Sequence, residues 1–180
     1  MKTKALATSA IMLAIIIVMG AIPSIPLGFI PVPIVLQNMG IMLAGIILGK
    51  KYGFFTVVGF LCLAALGLPI LSGGHGGFVV FVGPTAGYLY AYPIAAFLIG
   101  WASEWLIKNN KFSFFPLLIV ILLFGVLLID ILGAIGLNIV ANMPLDKALL
   151  YQVAFIPGDI IKSVLGVAIA MILNKRHFIL

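Results

Sequence analysis

An aspartate and a lysine three residues apart, in the run FIPGDIIKS, are the residues of this chain best placed to do chemistry. On a helix Asp159 and Lys162 share a face about one turn apart. The run around them is apolar, and an ionisable residue at the centre of a bilayer-spanning helix costs about 2.5–3.5 kcal/mol on insertion scales. Two readings follow. Either the charges only pair with each other, or Lys162 supplies the counter-charge for an anionic ligand while Asp159 fixes the ammonium or accepts a ligand N–H. The second reading explains why charges are present there at all. Pro157 interrupts the backbone ladder just ahead of them. The N–H groups freed at a half-helix start favour an anion, and discontinuous helices of this kind hold ligands in transporters.

A second constellation runs from Gly73 to Tyr90, GGHGGFVVFVGPTAGYLY. Gly73, Gly74, Gly76 and Gly77 allow positive φ values and close approach of backbone to a ligand, although glycine clusters also serve ordinary turns. Gly83-Pro84 is a good helix start. Tyr88 and Tyr92 then lie one turn apart, and a tyrosine can stack on a ligand ring and donate a hydrogen bond. Gly87, Ala91 and Ala95 form a stripe of small residues suited to close helix packing. His75 is expected to face solvent. Gln37 either hydrogen-bonds a polar ligand or ties helices together. Asp130 is a further intramembrane acid, read as structural or proton-dependent and not assigned to a ligand. Ala10 and Ala14, with Ala7 one turn earlier, give a smooth stripe against which either the chain's own helices or an external partner helix can pack.

The elements that must position these residues follow from composition. The 180 residues are 64% hydrophobic and 8% charged, with a mean hydropathy of +1.36, against roughly a quarter charged in soluble domains. An all-α integral membrane protein is expected. A bilayer core of about 30 Å needs roughly 20 apolar residues per helix, which allows about six spans. Apolar runs place them at about 5–22, 33–48, 52–68, 84–106, 114–140 and 149–173, in a single transmembrane domain over 1–180. Lys2 and Lys4 ahead of the first run could suit a signal peptide, but the run exceeds the usual apolar region of about 7–15 residues and no A-x-A site follows.

Basic residues set the expected topology. Lys2, Lys4, Lys50, Lys51, Lys108, Lys111, Lys175 and Arg176 all fall on one side of these spans. By the positive-inside bias that side is the cytoplasm, with both termini there. The net charge of +6 is therefore a topology signal and does not point to nucleic acid. Trp101 and Trp105 fit an interfacial belt, and Glu104 with Lys108 has the favourable i, i+4 order for a structural pair. Cys62 stands alone, so no intramolecular disulfide forms, and it is expected as a small packing residue. The inner connections are tight, whereas PSIPLGFIPVP and PILSGGHGGFVVFVG are long, outward-facing and free of formal charge with His75 neutral. Loops of that kind often cover sites. The chain carries no Walker loop, H-E-x-x-H, G-x-S-x-G or Cys/His metal spacing. Neither ATP hydrolysis nor metal chemistry is expected of it, and an intramembrane enzyme lacks an acid/base dyad beyond Asp159 and Lys162.

Taken in order, PVPIVLQN, GGHGG with GPTAGY, PGDIIK and the alanine stripe resemble the BioY family, the biotin-binding S components of energy-coupling factor transporters. The resemblance covers nearly the whole chain. It implies an S-component fold of six helices that captures biotin from outside, as cargo and with no cofactor. It also implies a complex with a transmembrane T component and two cytoplasmic ATPases in the cell membrane. Lys162, Asp159, Tyr88, Gly73, Gly74, Gly76, Gly77 and Gln37 are expected at the biotin site, and Ala10 and Ala14 at the T-component surface. The alternative within transport is a solitary or proton-coupled biotin carrier, for which Asp130 is the suggestive feature. Two positions depart from the family pattern: Ala86 replaces a glycine, and Val35 stands where a threonine often precedes the glutamine, which weakens Gln37 as a ligand residue.

Overall fold

The structure, a computed structural model, describes residues 2–28 and 31–175; Phe29 and Ile30 of the first long loop and Arg176 and His177 lie outside the described residues. The described chain is mostly helical. Helix α1 spans Lys2–Ala21, α2 Gln37–Ala65, α3 Ala86–Lys108, α4 Phe114–Val120, α5 Leu128–Val140, α6 Leu145–Gln152 and α7 Ile156–Lys175. A π-helical stretch, Ile121–Leu127, joins α4 to α5 without a break, and a short 3₁₀ turn, Phe78–Phe81, precedes α3. Among the described residues extended pairing is limited to two isolated antiparallel bridges, Ile25 with Ile34 and Leu71 with His75. Four stretches are long and apolar enough to cross a membrane: Thr3–Ala21, Gln37–Ala65, Phe114–Val140 and Ile156–Asn174.

Helix α2 is two helices in one. At Gly49 the backbone takes φ 72° and ψ 178°, outside the helical region, and the chain turns back on itself. A Cβ built on Gly53 would lie 3.1 Å from Gly45 Cα, so the two halves run side by side in opposite directions. The turn is closed by Glu104, which accepts from Lys50 N–H at 2.9 Å and pairs with the Lys50 ammonium at 3.1 Å. A carboxylate is favoured there because Lys50 starts the second half, where N–H groups are free and the helix dipole is positive. The expected Glu104–Lys108 pair is thus not the one formed. Gly49, with no side chain to oppose its positive φ, lets the connection shrink to a single non-helical residue.

The first half, Gln37 to Leu48, is buried throughout, as expected of a helix that is apolar all round at the centre of a bundle. It packs on α1 and α3, and α3 in turn packs on α5. The last contact is close because Gly87 and Gly136 face each other, with a Cβ at Gly87 only 2.8 Å from Gly136 Cα. Ala91 and Ala95 on the same stripe are fully buried. Cys62 is exposed, a correction to its expected packing role: it sits on the second half of α2, whose buried face is carried by Val57, Phe60, Leu61 and Ala64. Trp101 and Trp105 are both half exposed.

Several boundaries differ from the apolar runs for local reasons. The second run reaches back to Pro33, yet helix begins only at Gln37. Pro33 pushes Val32 before it towards extended backbone, and Ile34 pairs with Ile25 across the loop, 2.9 Å in each direction. The last run is also divided. Helix α6 ends at Gln152 and α7 starts at Ile156, with Pro157 in its first turn, where a missing N–H costs nothing.

Candidate ligand-binding site

The loops at residues 22–36 and 66–85 meet at the end of the bundle remote from Gly49. Gln37 joins them: its amide donates to Ile16 O at 3.0 Å and Ile70 O at 2.8 Å, and its oxygen accepts from Ser72 N–H at 3.1 Å. All of these partners are backbone groups. The glutamine therefore spends these hydrogen bonds tying α1, α2 and the second loop together, one of its two expected roles, and it also lines the cavity that lies beneath the loops.

Beneath the loops lies a cavity of about 230 Å³. One wall is the extended Pro31–Val35 segment with the start of α2, another is Tyr88, Leu89 and Tyr92 on α3, and Ile129, Asp130, Phe155, Asp159 and Lys162 complete it. Leu71, Ser72, His75 and Val80 close the top. The four glycines at 73, 74, 76 and 77 do not line the cavity; they shape the turn that places Ser72 and His75 over it. Gly73, Gly74 and Gly77 have φ of 79°, 73° and 87°, a region open to glycine but rarely to other residues. His75 is exposed, with Nδ1 3.0 Å from Ser72 O.

At the base, Asp159 and Lys162 form a buried pair 2.5 Å apart, 3% and 6% exposed. The ammonium also donates to Val35 O and to Asn38 Oδ1, each at 3.0 Å. An ammonium has three N–H donors, so Lys162 is fully satisfied by protein. Asn38 completes the ring by donating to Asp159 Oδ1 at 3.4 Å. This arrangement offsets the cost of burying two charges and fixes their geometry. It joins α7, α2 and the extended segment before α2, and both side-chain contacts of Asp159 are made through Oδ1. The departure at Val35 is immaterial to this contact, since the backbone carbonyl makes it.

Tyr88 reaches the same cavity with its hydroxyl donating to Gln152 Oε1 at 2.8 Å, and Gln152 is itself anchored on Ala148 O at 2.8 Å. The ring is held edge-to-face against Phe155, 6.4 Å between centroids, and a Cβ at Gly133 would collide with it. The tyrosine thus offers a ring to the cavity while its hydroxyl is already engaged. Ser72 Oγ is buried without a partner. Asp130, read from the sequence as structural or proton-dependent and not assigned to a ligand, lines the same cavity as Asp159 and Lys162.

Asn38, Gln152 and Ser72 are the residues that reading the sequence missed. Asn38 was detectable, because a second carboxamide beside Gln37 points about 100° round the helix and a polar side chain inside a span needs a partner. Gln152 and Ser72 stood in segments read as loop or span end. The alanine stripe lies away from the site. Ala7, Ala10 and Ala14 are exposed, while α1 buries Ala5, Met12, Ile16 and Gly20. Packing of that stripe against the chain's own helices, one of its two expected readings, does not occur among the described residues.

The BioY family model matches residues 1–177. The chain is 50% identical over 175 residues to the biotin transporter BioY of Lactococcus lactis subsp. cremoris (strain MG1363), covering 97% of this chain and 93% of that protein. It is 41% identical over 172 residues to the biotin transporter BioY of Rhizobium etli (strain ATCC 51251 / DSM 11541 / JCM 21823 / NBRC 15573 / CFN 42), covering 92% and 90%. Among solved structures it is similar to the S-component for biotin from an ECF-type ABC transporter, with a TM-score of 0.91, 50% identity, and coverage of 97% of this chain and 92% of that one. With a helical architecture, membrane-length apolar helices and a likeness that runs over almost its whole length, this chain belongs to the BioY family.

Proposed function

We infer that this membrane protein is the biotin-capture subunit, the S component, of an ATP-driven energy-coupling factor importer. The observation that carries the reading is the cavity under the two long loops, whose base is a prearranged Asp159–Lys162–Asn38 cluster, in a chain that shares half its residues with a biotin transporter. Biotin has an apolar bicyclic body, a cyclic urea and a carboxylate. Tyr88, Tyr92 and Phe155 suit the body, Ser72 Oγ suits the urea, and Lys162, held in place by Asp159, suits the carboxylate if it exchanges one of its protein acceptors for it. The glycines at 73, 74, 76 and 77 and the carboxamide of Gln37 serve by holding the loop over the cavity.

In this reading the chain crosses the cell membrane six times, with the two halves of α2 as separate crossings and both termini in the cytoplasm. The hairpin at Gly49 supports it, because it brings Lys50 and Lys51 to the end remote from the cavity, where cytoplasmic lysines belong. A transmembrane T component and two ATPases would drive release inward. The exposed stripe of Ala7, Ala10 and Ala14 is the surface offered to the T component, so the chain itself needs no catalytic residue.

Titration of the purified protein in detergent with biotin and with biotinamide tests the capture reading. Both should bind, and Lys162→Ala should weaken biotin far more than the amide. Binding of neither compound refutes the reading, and equal losses remove the carboxylate role from Lys162. Ala10→Trp should leave biotin binding intact and abolish energised uptake; loss of binding as well would place the stripe in the protein's own packing.

A further inference from the structure

Asp130 is the one carboxylate in the cavity wall that has no protein partner among the described residues. Asp159 is paired with Lys162 and held by Asn38, and the three donors of Lys162 are already taken by Asp159, Val35 O and Asn38. Counting charges, the Asp159–Lys162 pair cancels, and Asp130 is left as an uncompensated acceptor in the wall of the cavity. Such a residue inside a membrane protein marks a functional site unless a partner can be named.

Its position is also a feature of the backbone. The π-helical stretch Ile121–Leu127 ends three residues before Asp130, and a π turn inserts residues that rotate everything after it relative to the preceding α-helix. Ile129 and Asp130, just beyond this wide turn, are the residues of their helix that line the cavity. Wide turns of this kind recur at functional sites, and here the irregularity aims a carboxylate at the cavity from the side of α5.

We propose that Asp130 is a ligand-contacting, specificity-determining residue that accepts a hydrogen bond from an N–H of the bound molecule. The inference rests on the biotin reading, in which the N–H donors are those of the cyclic urea. The apolar body then spans the cavity between the Asp130 wall and the wall formed by the start of α2. A ligand that fills the cavity without that N–H covers Asp130 and leaves it unpaired, so the residue selects for the donor by penalising its absence.

The test compares biotin with an analogue methylated on a urea nitrogen, using wild-type protein and the near-isosteric Asp130→Asn and Asp130→Ala variants, by titration in detergent. Wild-type protein should prefer biotin, and Asp130→Ala should lose about 10- to 100-fold in biotin affinity, the weight of one hydrogen bond to a charged group, with a smaller loss in Asp130→Asn, which keeps an acceptor oxygen. The loss for the analogue methylated at the contacting nitrogen should be several-fold smaller, narrowing the preference. Equal losses for biotin and for both singly methylated analogues, or an unchanged biotin affinity in Asp130→Ala, overturn the assignment. Failure of wild-type protein to bind biotin refutes the capture reading instead, a separate result.

Discussion

Because Asp159 and Lys162 are 3% and 6% exposed, solvent does little to rescue either charge when the other is removed, and a double-mutant cycle should show strong coupling. Asp159→Asn leaves a buried ammonium with two neutral acceptors, Val35 O and Asn38 Oδ1; stranding one member of a buried pair costs about 3–5 kcal/mol. Lys162→Met strands the carboxylate, at a similar cost. Additivity would place the double variant about 6–10 kcal/mol below wild type. The double variant is neutral, however, and its remaining deficit is the two acceptors that lose the ammonium, about 1–2 kcal/mol each. It should therefore be more stable than the additive sum by about 2 kcal/mol or more, and no less stable than the worse single variant. Thermal loss of the monodisperse species on size exclusion, calibrated by denaturant unfolding in the same detergent, reads this directly. Losses that add within about 0.5 kcal/mol would show that the two charges act independently, and the account of a mutually compensated cluster would be wrong.

Other consequences follow from named contacts. Gly133→Ala gains up to about 1 kcal/mol of helix propensity but drives a methyl into the Tyr88 ring, a clash worth about 1–3 kcal/mol; net destabilisation and weaker biotin binding are expected by melting and titration. Gln37→Leu orphans the Ser72 N–H and should cost about 1–3 kcal/mol, with faster proteolytic cleavage in the loop at 66–85. Glu104→Ala should lose about 1 kcal/mol through the missing cap of the second half of α2, whereas Lys108→Ala should stay within about 0.5 kcal/mol; the reverse order would restore the Glu104–Lys108 pair. Gly49→Ala should be more damaging than either, since its Cβ would sit 2.6 Å from Glu104 Oε1 and alanine resists a φ of 72°.

Much of this molecule was legible without coordinates, for a simple reason. Transfer between water and a bilayer depends on composition and run length, which a sequence states outright, so the apolar runs and the sorting of lysines needed no tertiary information. The same holds for Asp159 and Lys162, because charges in an apolar run are conspicuous wherever the helix goes. What their partners are was not legible. Asn38 is 124 residues from Lys162, Gln152 is 64 from Tyr88, and Glu104 is 54 from Lys50; only packing brings them together, and the nearer Lys108 lost the competition because the hairpin at Gly49 presents a free N–H as well as an ammonium.

The sequence by itself thus determined the solvent this protein lives in, its helical class and the charges that had to have a purpose. Tertiary structure alone decided that Lys162 is saturated by three acceptors, that Gln37 and the glycines hold the loop over the cavity, and that the wide turn ahead of Asp130 points a third charge into the same space. Partition energies are properties of segments. Hydrogen-bond satisfaction is a property of neighbours, and neighbours are set by the fold.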